Sequence, residues 1–289
     1  MNLLDDAVSR LERLEFLDRV AEPVRKAAHA LVRPRAVRNA LSGIPTGHPL
    51  HAVLTDVPIG AWSMAALLDV KGVLGGDGGR SSDAAADLLV AAGLAAAVPT
   101  AAAGLNDWSD TYGPTERVGL VHAAANTAAL GLYAASLAAR RAGRRPAGRA
   151  LALAGLGVLT VGGYLGGHLT YSKGVKVSHT AYHEGPLDWE DVLGEDELEG
   201  GAPKVVQLGE IPLLVMRDGG RIVALDNVCT HAGGPLNEGT FEGGCVTCPW
   251  HGSQFRLADG APVLGPASAP QPSYETRVRD GRIQVRAKR

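Results

Sequence analysis

The stretch "CTHAGGPLNEGTFEGGCVTCPWHGSQF", residues Cys229 to Phe255, decides the fold of the C-terminal region because it holds all three cysteines of the chain. Cys229 is followed closely by His231, and Cys248 by His251, so each of two short loops offers one thiolate and one imidazole. Two such loops supply the ligands of a [2Fe–2S] cluster in which sulfur binds one iron and nitrogen binds the other. The spacing therefore predicts a dinuclear iron site.

A zinc site is the alternative, and its ligands would be Cys229, His231, Cys245 and Cys248. Paired zinc ligands usually have two to four residues between them, whereas only one residue separates Cys229 from His231. The zinc set also leaves His251 without a role. The strand alternation of "GGCVTC" places Cys245 on the face opposite Val246, which favours a packing role for this third thiol.

The pattern C-x-H…C-P-x-H-G, preceded by "GGRIVALDNVC" and followed by "SQFRLADG", resembles the Rieske ferredoxin family over the last third of the chain. The resemblance implies an all-β domain that binds a [2Fe–2S] cluster and transfers electrons. It assigns both the metal-binding and the cofactor-binding roles to Cys229, His231, Cys248 and His251. Runs such as "IPLLVMR", "RIVALD" and "RIQVRA", separated by turn signals, also predict a small antiparallel β domain.

Departures from the family pattern bear on the redox potential. Rieske proteins of cytochrome bc complexes join the two loops by a disulfide, and the corresponding positions here resemble Gly234 and Trp250, which cannot form one. Those proteins also place a serine and a tyrosine hydroxyl near a cluster sulfur. This chain keeps Ser253 but has Phe255, so we expect Ser253 to tune the cluster to an intermediate potential.

Two functional classes are excluded by what the chain carries. The formal net charge is -2, so nucleic acid is not an expected partner. A Rieske oxygenase needs a second, mononuclear iron site with two histidines and a carboxylate downstream of the cluster, and no histidine follows His251. No catalytic residue is predicted, and the enzyme class stays open beyond an electron-transfer component of the oxidoreductase type.

The N-terminal region has the composition of a membrane protein. Residues 88–105, 118–139 and 150–172 carry no charged side chain, and residues 52–70 carry only Asp56 and Asp69. Apolar runs of about 18 or more residues are long enough to cross a bilayer. A soluble, alanine-rich bundle is the alternative, and it should show polar outer faces. We expect an all-α bundle of four transmembrane helices in a bacterial-type cell membrane.

The composition divides the chain into four segments. Residues 1–46 form an amphipathic N-terminal arm with a helix interrupted at Pro23, and they lack the apolar core of a secretory signal. Residues 47–175 form the membrane domain, residues 176–199 a polar linker that includes His179 and His183, and residues 200–289 the Rieske domain. The multidomain fold is therefore all-α in its N-terminal part and all-β in its C-terminal part.

Several histidines lie near the predicted helices. The motif "HPLH…TDVPIGAW", which begins at His48, resembles a bacterial family of four-helix membrane proteins whose activity is not established. His51, Asp56, His122 and His168 form a candidate membrane site, because ionisable groups in membrane spans often mark a functional path. Three interpretations stay open: the histidines bind a haem or metal, they line a quinol or quinone site, or they only bond to loops and headgroups.

Orientation signals oppose each other. The connection "RRAGRRPAGR" favours the cytoplasm, which would place the cluster outside, whereas Arg33, Arg35 and Arg38 near the first helix favour the opposite orientation. The absence of a disulfide favours the cytoplasm for the cluster.

The predicted function is a membrane-anchored carrier of single electrons between a membrane donor, quinol or haem, and a redox partner protein. The alternative is a membrane redox sensor or scaffold whose cluster regulates a neighbour.

Overall fold

The chain, seen in a computed structural model that describes residues 3–74, 80–198 and 202–288, forms two compact units. The first unit consists of Met1–Arg33 and Leu50–Lys173. The second consists of Pro34–Pro49 and Gly174–Arg289. A short N-terminal segment, residues 34–49, therefore belongs to the same unit as the C-terminal β domain.

Seven helices are described. In chain order they are α1 (Leu3–Glu12), α2 (Asp18–Val32), α3 (Arg35–Ser42), α4 (Leu50–Leu74), α5 (Arg80–Trp108), α6 (Gly113–Arg141) and α7 (Arg145–Tyr171). All except α3 lie in the first unit. The tightest packing in this unit joins α4 to α5 and α6 to α7, so the bundle consists of two helical hairpins.

Each of the helices α4 to α7 is long and apolar enough to cross a membrane. Their outward positions are also apolar, as the exposed side chains of Leu67, Leu88 and Val161 illustrate. A soluble bundle would present polar side chains at these positions. The predicted bundle of four apolar helices is confirmed.

A buried ion-pair network joins both hairpins at one end of the bundle. Its members are Asp69, Asp83, Asp87, Arg140, Arg145 and Arg149. The three carboxylates balance the three guanidinium groups. The side chains of Asp69 and Arg140 are almost fully buried, and burying such charges is tolerated when they pair and share hydrogen bonds. The network therefore ties α4 and α5 to α6 and α7.

The prediction that Pro23 interrupts the N-terminal helix is wrong. Pro23 lies inside α2, and the chain breaks earlier, where a 3₁₀ turn (Glu15–Leu17) separates α1 from α2. A proline inside a helix costs about 3 kcal/mol. Packing offsets this cost, because Ala21 and Ala28 of α2 are fully buried.

Ten strands in two antiparallel sheets are described in the second unit. The strands are β1 (Glu190–Gly194), β2 (Lys204–Leu208), β3 (Ile211–Asp218), β4 (Arg221–Asp226), β5 (Thr240–Glu242), β6 (Cys245–Thr247), β7 (Gln254–Arg256), β8 (Pro262–Leu264), β9 (Ser273–Arg279) and β10 (Arg282–Ala287). The six-stranded sheet has the order β1-β10-β9-β4-β3-β2, and the four-stranded sheet has the order β5-β6-β7-β8. The predicted all-β C-terminal domain is confirmed.

Strand β3 is buried on both faces and separates two cores. Leu213 and Val215 point into the core against β10, whereas Leu214 and Met216 point into the core that contains Cys229. This alternation is the period of two expected of a strand. The second core, which includes Phe255, also contains Cys229 and Cys248 of the two cysteine loops.

The expected linker of residues 176–199 contains regular structure. Residues 190–194 form β1, which pairs with β10 through Glu190 and Val285. Leu193 and Leu198 are buried in the core on that side of the sheet. Two leucines among acidic residues are thus enough to place this stretch in the β unit, because both gain a buried apolar contact.

Candidate metal centre

The two cysteine loops are built alike. In each, the amide of a glycine four residues after the cysteine donates to the cysteine carbonyl, Gly233 to Cys229 at 2.8 Å and Gly252 to Cys248 at 3.1 Å. Both glycines have positive φ, at 80° and 74°. This left-handed backbone conformation favours glycine and lets each loop turn back tightly on its cysteine.

The thiol groups of the two loops meet. Cys229 and Cys248 are buried, and the Cys229 thiol donates a hydrogen bond to the Cys248 sulfur. This bond, together with burial, raises the pKa of Cys229, and the same bond lowers the pKa of Cys248. Backbone amides two and three residues further along each loop also donate to the sulfurs. Such amides stabilise thiolates, the form in which cysteine binds metal.

The imidazoles form the second half of the site. The ring centres of His231 and His251 are 5.0 Å apart, with an angle of 82° between the ring planes. Burial, followed by the nearby charge of Lys176, lowers the pKa of His231 to about 2, so this imidazole is neutral. Its Nδ1 is buried and has no hydrogen-bond partner among the residues that the structure describes.

The residues present fit a [2Fe–2S] cluster. Within the described parts of the chain, no three His, Cys, Asp or Glu side chains converge on a single ion. The site instead offers a pair of sulfur atoms and a pair of imidazoles, which is the division that two irons require. Cys245 does not join them, since it pairs with Glu242 and Arg256 across the sheet while its neighbour Val246 enters the core.

The positions that correspond to a disulfide in bc-type proteins are in contact here. A Cβ placed on Gly234 would lie 2.9 Å from the Cys248 sulfur and 3.0 Å from the Trp250 ring. Only glycine therefore fits between the second cysteine and the tryptophan. All three cysteines are free thiols.

A third loop, residues 265–270, packs beside the cysteine loops. The fully buried Ser253 hydroxyl accepts a hydrogen bond from the Ala267 amide at 3.0 Å, which leaves its own proton available for another acceptor. Gln271 donates to the carbonyls of Asp226 and Val228 and accepts from the amide of Thr230. This buried amide therefore braces the first cysteine loop, and no sequence pattern singled it out.

Helix α3 clamps the same region from a distant part of the chain. Asn39 donates to the Val263 carbonyl and accepts from the Gly265 amide, at 3.0 and 3.1 Å. Arg38 donates to the carbonyls of Gly265 and His251, at 3.2 and 3.5 Å. The guanidinium group therefore places a positive charge beside the backbone of His251, one of the predicted ligands.

Two histidines expected in the linker contact the first cysteine loop or the end of the strand before it. The His179 amide donates to the Thr230 carbonyl at 3.1 Å, and His183 Nδ1 lies 2.5 Å from the fully buried carboxylate of Asp226. Burial raises the pKa of Asp226, while the bond to His183 acts in the opposite direction. The segment after the last apolar helix thus helps to build the site.

A cavity of about 180 Å³ lies against His231, one of the predicted ligands. Its wall includes His231, Lys176, Ser178 and His48. His48, which the sequence places at the start of the first apolar helix, therefore belongs to the wall of this cavity in the second unit.

The candidate membrane site is divided. His51 and His122 come together, with ring centres 6.4 Å apart. His168 instead lies 3.5 Å from Glu12, whose carboxylate also pairs with Lys173 at 2.6 Å. Asp56 is exposed on α4.

Comparison with known proteins identifies both regions. Residues 188–275 match the Rieske [2Fe-2S] domain, and residues 47–179 match a predicted membrane protein family, DUF2231. Ferredoxin CarAc of Metapseudomonas resinovorans is 33% identical over 34% of this chain and 92% of its own length. The anthranilate 1,2-dioxygenase ferredoxin subunit of Burkholderia cepacia is 33% identical over 34% of this chain and 91% of its own length.

A third relative is a subunit of a cytochrome complex. The cytochrome b6-f complex iron-sulfur subunit of Chlorobaculum tepidum is 29% identical over 31% of this chain and 48% of its own length. These similarities support an iron–sulfur electron-transfer role for the C-terminal region. Residues 47–179 match the predicted membrane protein family DUF2231, and the chain belongs to the Rieske [2Fe–2S] family through its C-terminal region.

Proposed function

We propose that Cys229 and Cys248 bind one iron of the cluster and that His231 and His251 bind the other. The observation that carries this proposal is the separation of the four side chains into a sulfur pair and an imidazole pair on two loops of the same construction. When bound, the cluster accepts and releases one electron at a time. The chain's own groups hold it, donate amide hydrogen bonds to the cysteine sulfurs and keep the His231 imidazole neutral.

The protein then acts as a membrane-anchored carrier of single electrons between a membrane donor, quinol or haem, and a partner protein. The apolar helices support the anchoring, and the relatives named as ferredoxins support the transfer to a partner. The segments proposed for this role are an N-terminal arm of residues 1–46, a membrane domain of residues 47–175, a connection of residues 176–199 and the Rieske domain of residues 200–289. We place the cluster on the cytoplasmic side.

Turnover in proteoliposomes tests this function. The full chain, reconstituted with a reduced quinol and a soluble one-electron acceptor, should pass electrons from quinol to acceptor for many cycles. The Cys248→Ser variant should lose this activity, and the Cys245→Ser variant should retain it. Sustained failure of a donor to reduce an intact cluster, seen by its EPR signal, would contradict the proposed function.

A further inference from the structure

The two hairpins of the membrane unit repeat one another. Three pairs of contacting residues share one spacing of 71 residues: His51 with His122, Trp62 with Tyr133, and Asp69 with Arg140. A second constant spacing relates five buried positions of α5 to buried positions of α7: Ala86 to Gly148, Val90 to Ala152, Gly93 to Gly155, Thr100 to Gly162, and Ala103 to Leu165.

Equivalent residues of two repeats can touch only where the axis that relates the repeats passes between them. The three contacting pairs therefore mark a pseudo-two-fold axis along the bundle. The rings of Trp62 and Tyr133 stack at 4.1 Å, and Asp69 pairs with Arg140. In two of the three pairs the partners bind each other directly, by ring stacking or by an ion pair. In the histidine pair, the two rings do not hydrogen-bond to each other.

Both histidines are held in the same way. His51 Nδ1 donates to the Thr100 carbonyl at 2.9 Å, and His122 Nδ1 donates to the Gly162 carbonyl at 2.8 Å. Each ring also rests on a glycine one helical turn further along the neighbouring helix. A Cβ would lie 2.8 Å from His51 Cε1 if placed on Gly104, and 2.9 Å from His122 Cε1 if placed on Gly166.

These bonds determine the protonation of each ring. A carbonyl oxygen only accepts, so Nδ1 carries a proton, and in the neutral ring Nε2 then keeps a lone pair. Histidine ligands of metals commonly donate their other ring nitrogen to a carbonyl in this way. The Asn126 amide nitrogen lies 3.3 and 3.2 Å from the two nitrogens of His122. A donor equidistant from both nitrogens lies over the ring face, out of line with the in-plane lone pair of Nε2.

We propose that His51 and His122 are the two axial ligands of a haem in the centre of the bundle. Metal–nitrogen bonds of about 2.1 Å place the centres of two imidazoles about 6 to 6.5 Å apart when they bind opposite sides of one ion, and about 5 Å apart at a tetrahedral angle. The observed 6.4 Å matches the first geometry.

A planar tetrapyrrole explains why only two protein ligands meet. No third His, Cys, Asp or Glu joins them within the described residues, whereas a haem supplies four nitrogens and needs only axial partners. Facing helices of bundles commonly build such sites. The haem would be the membrane electron donor of the proposed function. Its role as redox partner of the cluster therefore rests on that proposed function.

Haem titration of the full chain tests the assignment. The detergent-purified protein, mixed with haemin, should form a low-spin, six-coordinate species with one haem per chain. His51→Ala and His122→Ala should each lose this species, whereas His168→Ala should retain it. Gly166→Ala should weaken haemin binding by about tenfold, as is usual for changes that displace a metal ligand, and Gly163→Ala, whose Cβ would meet nothing within 4 Å, should not.

The EPR signal of the Rieske cluster, recorded on the same samples, shows that the second unit of each variant is folded, and the helical circular dichroism signal shows the same for the bundle. A wild-type protein with a normal cluster signal but no low-spin haem would overturn this inference and leave the proposed cluster intact. Loss of the low-spin species in His168→Ala, or its persistence in His51→Ala, would overturn it as well. A low-spin haem without a cluster signal would instead contradict the proposed function alone.

Discussion

The molecule holds two pairs of facing imidazoles, and they differ in separation and in support. His231 and His251 project from short loops with ring centres 5.0 Å apart, whereas His51 and His122 project from long helices with ring centres 6.4 Å apart. Both pairs are nearly perpendicular, at 82° and 85°. The comparison shows that loops and helices hold the same residue type at different ring separations.

Glycine sets the geometry in both places by different means. In the loops, positive φ at Gly233 and Gly252 turns the chain back on each cysteine. In the bundle, Gly104 and Gly166 have ordinary helical conformation and contribute by lacking a side chain, which leaves room for the rings. The contribution of glycine is therefore conformational in the cysteine loops and steric in the helical bundle.

The largest expected effect comes from a substitution that should abolish cluster binding and leave haemin binding unchanged. His251→Ala removes a proposed iron ligand, so we expect loss of cluster iron and of the cluster EPR signal. Haemin binding at His51 and His122 should be unchanged in the same variant. Iron analysis and EPR measure the first effect, and the optical titration measures the second. Cys245→Ser serves as the control, and its cluster should remain complete.

A smaller effect is expected from Gly234→Ala. The added methyl group would crowd the Cys248 sulfur and the Trp250 ring. Overpacking of this kind costs about 1 to 3 kcal/mol, so thermal unfolding of the β unit should begin at a lower temperature and release the cluster. In Gly163→Ala the new methyl group meets nothing, and the unfolding temperature should stay within error of the wild-type value. Equal midpoints for both variants would remove the steric argument.

Ser253→Ala should lower the midpoint potential of the cluster. A hydroxyl that donates to a cluster sulfur favours the reduced state, and losing about 1 kcal/mol of this preference corresponds to about 40 mV. A redox titration followed by EPR measures the shift. Ser273→Ala is the control, because that hydroxyl bonds to the Asp259 carbonyl on the surface. An unchanged potential in Ser253→Ala would show that the buried hydroxyl serves only the Ala267 amide.

The smallest shift is expected from Arg38→Ala. Removing a partly exposed positive charge beside His251 disfavours the reduced cluster by about 0.5 to 1 kcal/mol, or about 20 to 40 mV. Arg38→Lys keeps the charge while changing the hydrogen bonds to the loop carbonyls. Its potential should therefore lie close to that of the wild type. A lysine variant that shifts as far as the alanine variant would assign the effect to loop geometry instead.

Short-range sequence patterns were enough to predict the cysteine loops and the apolar helices. The Cys-x-His spacing and the apolar run lengths required no distant contacts to interpret, and both fold classes followed from them. The clamp by α3 could not be predicted in this way. Arg38 and Gly265 are 227 residues apart, and nothing in the pattern around either residue indicates the other.

The repeat of the two hairpins is difficult to recognise in the sequence because equivalent positions carry different residue types. Asp69 corresponds to Arg140 and Trp62 to Tyr133, so equivalent positions differ in charge or ring type. Among the three contacting pairs only the two histidines are identical, and the sequence-based prediction grouped them with His168 and Asp56. The structure separates these residues because only His51 and His122 face the axis.

Nitrogen coupling in the reduced cluster tests the central claim most directly. Protein labelled with ¹⁵N only at histidine, reduced and studied by pulsed EPR, should contain two irons and two acid-labile sulfides and should show coupling to two histidine nitrogens. The coupling should disappear with the cluster in His231→Ala and persist in His48→Ala. Zinc in place of iron, or a cluster signal without histidine coupling, would contradict the assignment of Cys229, His231, Cys248 and His251 as its ligands.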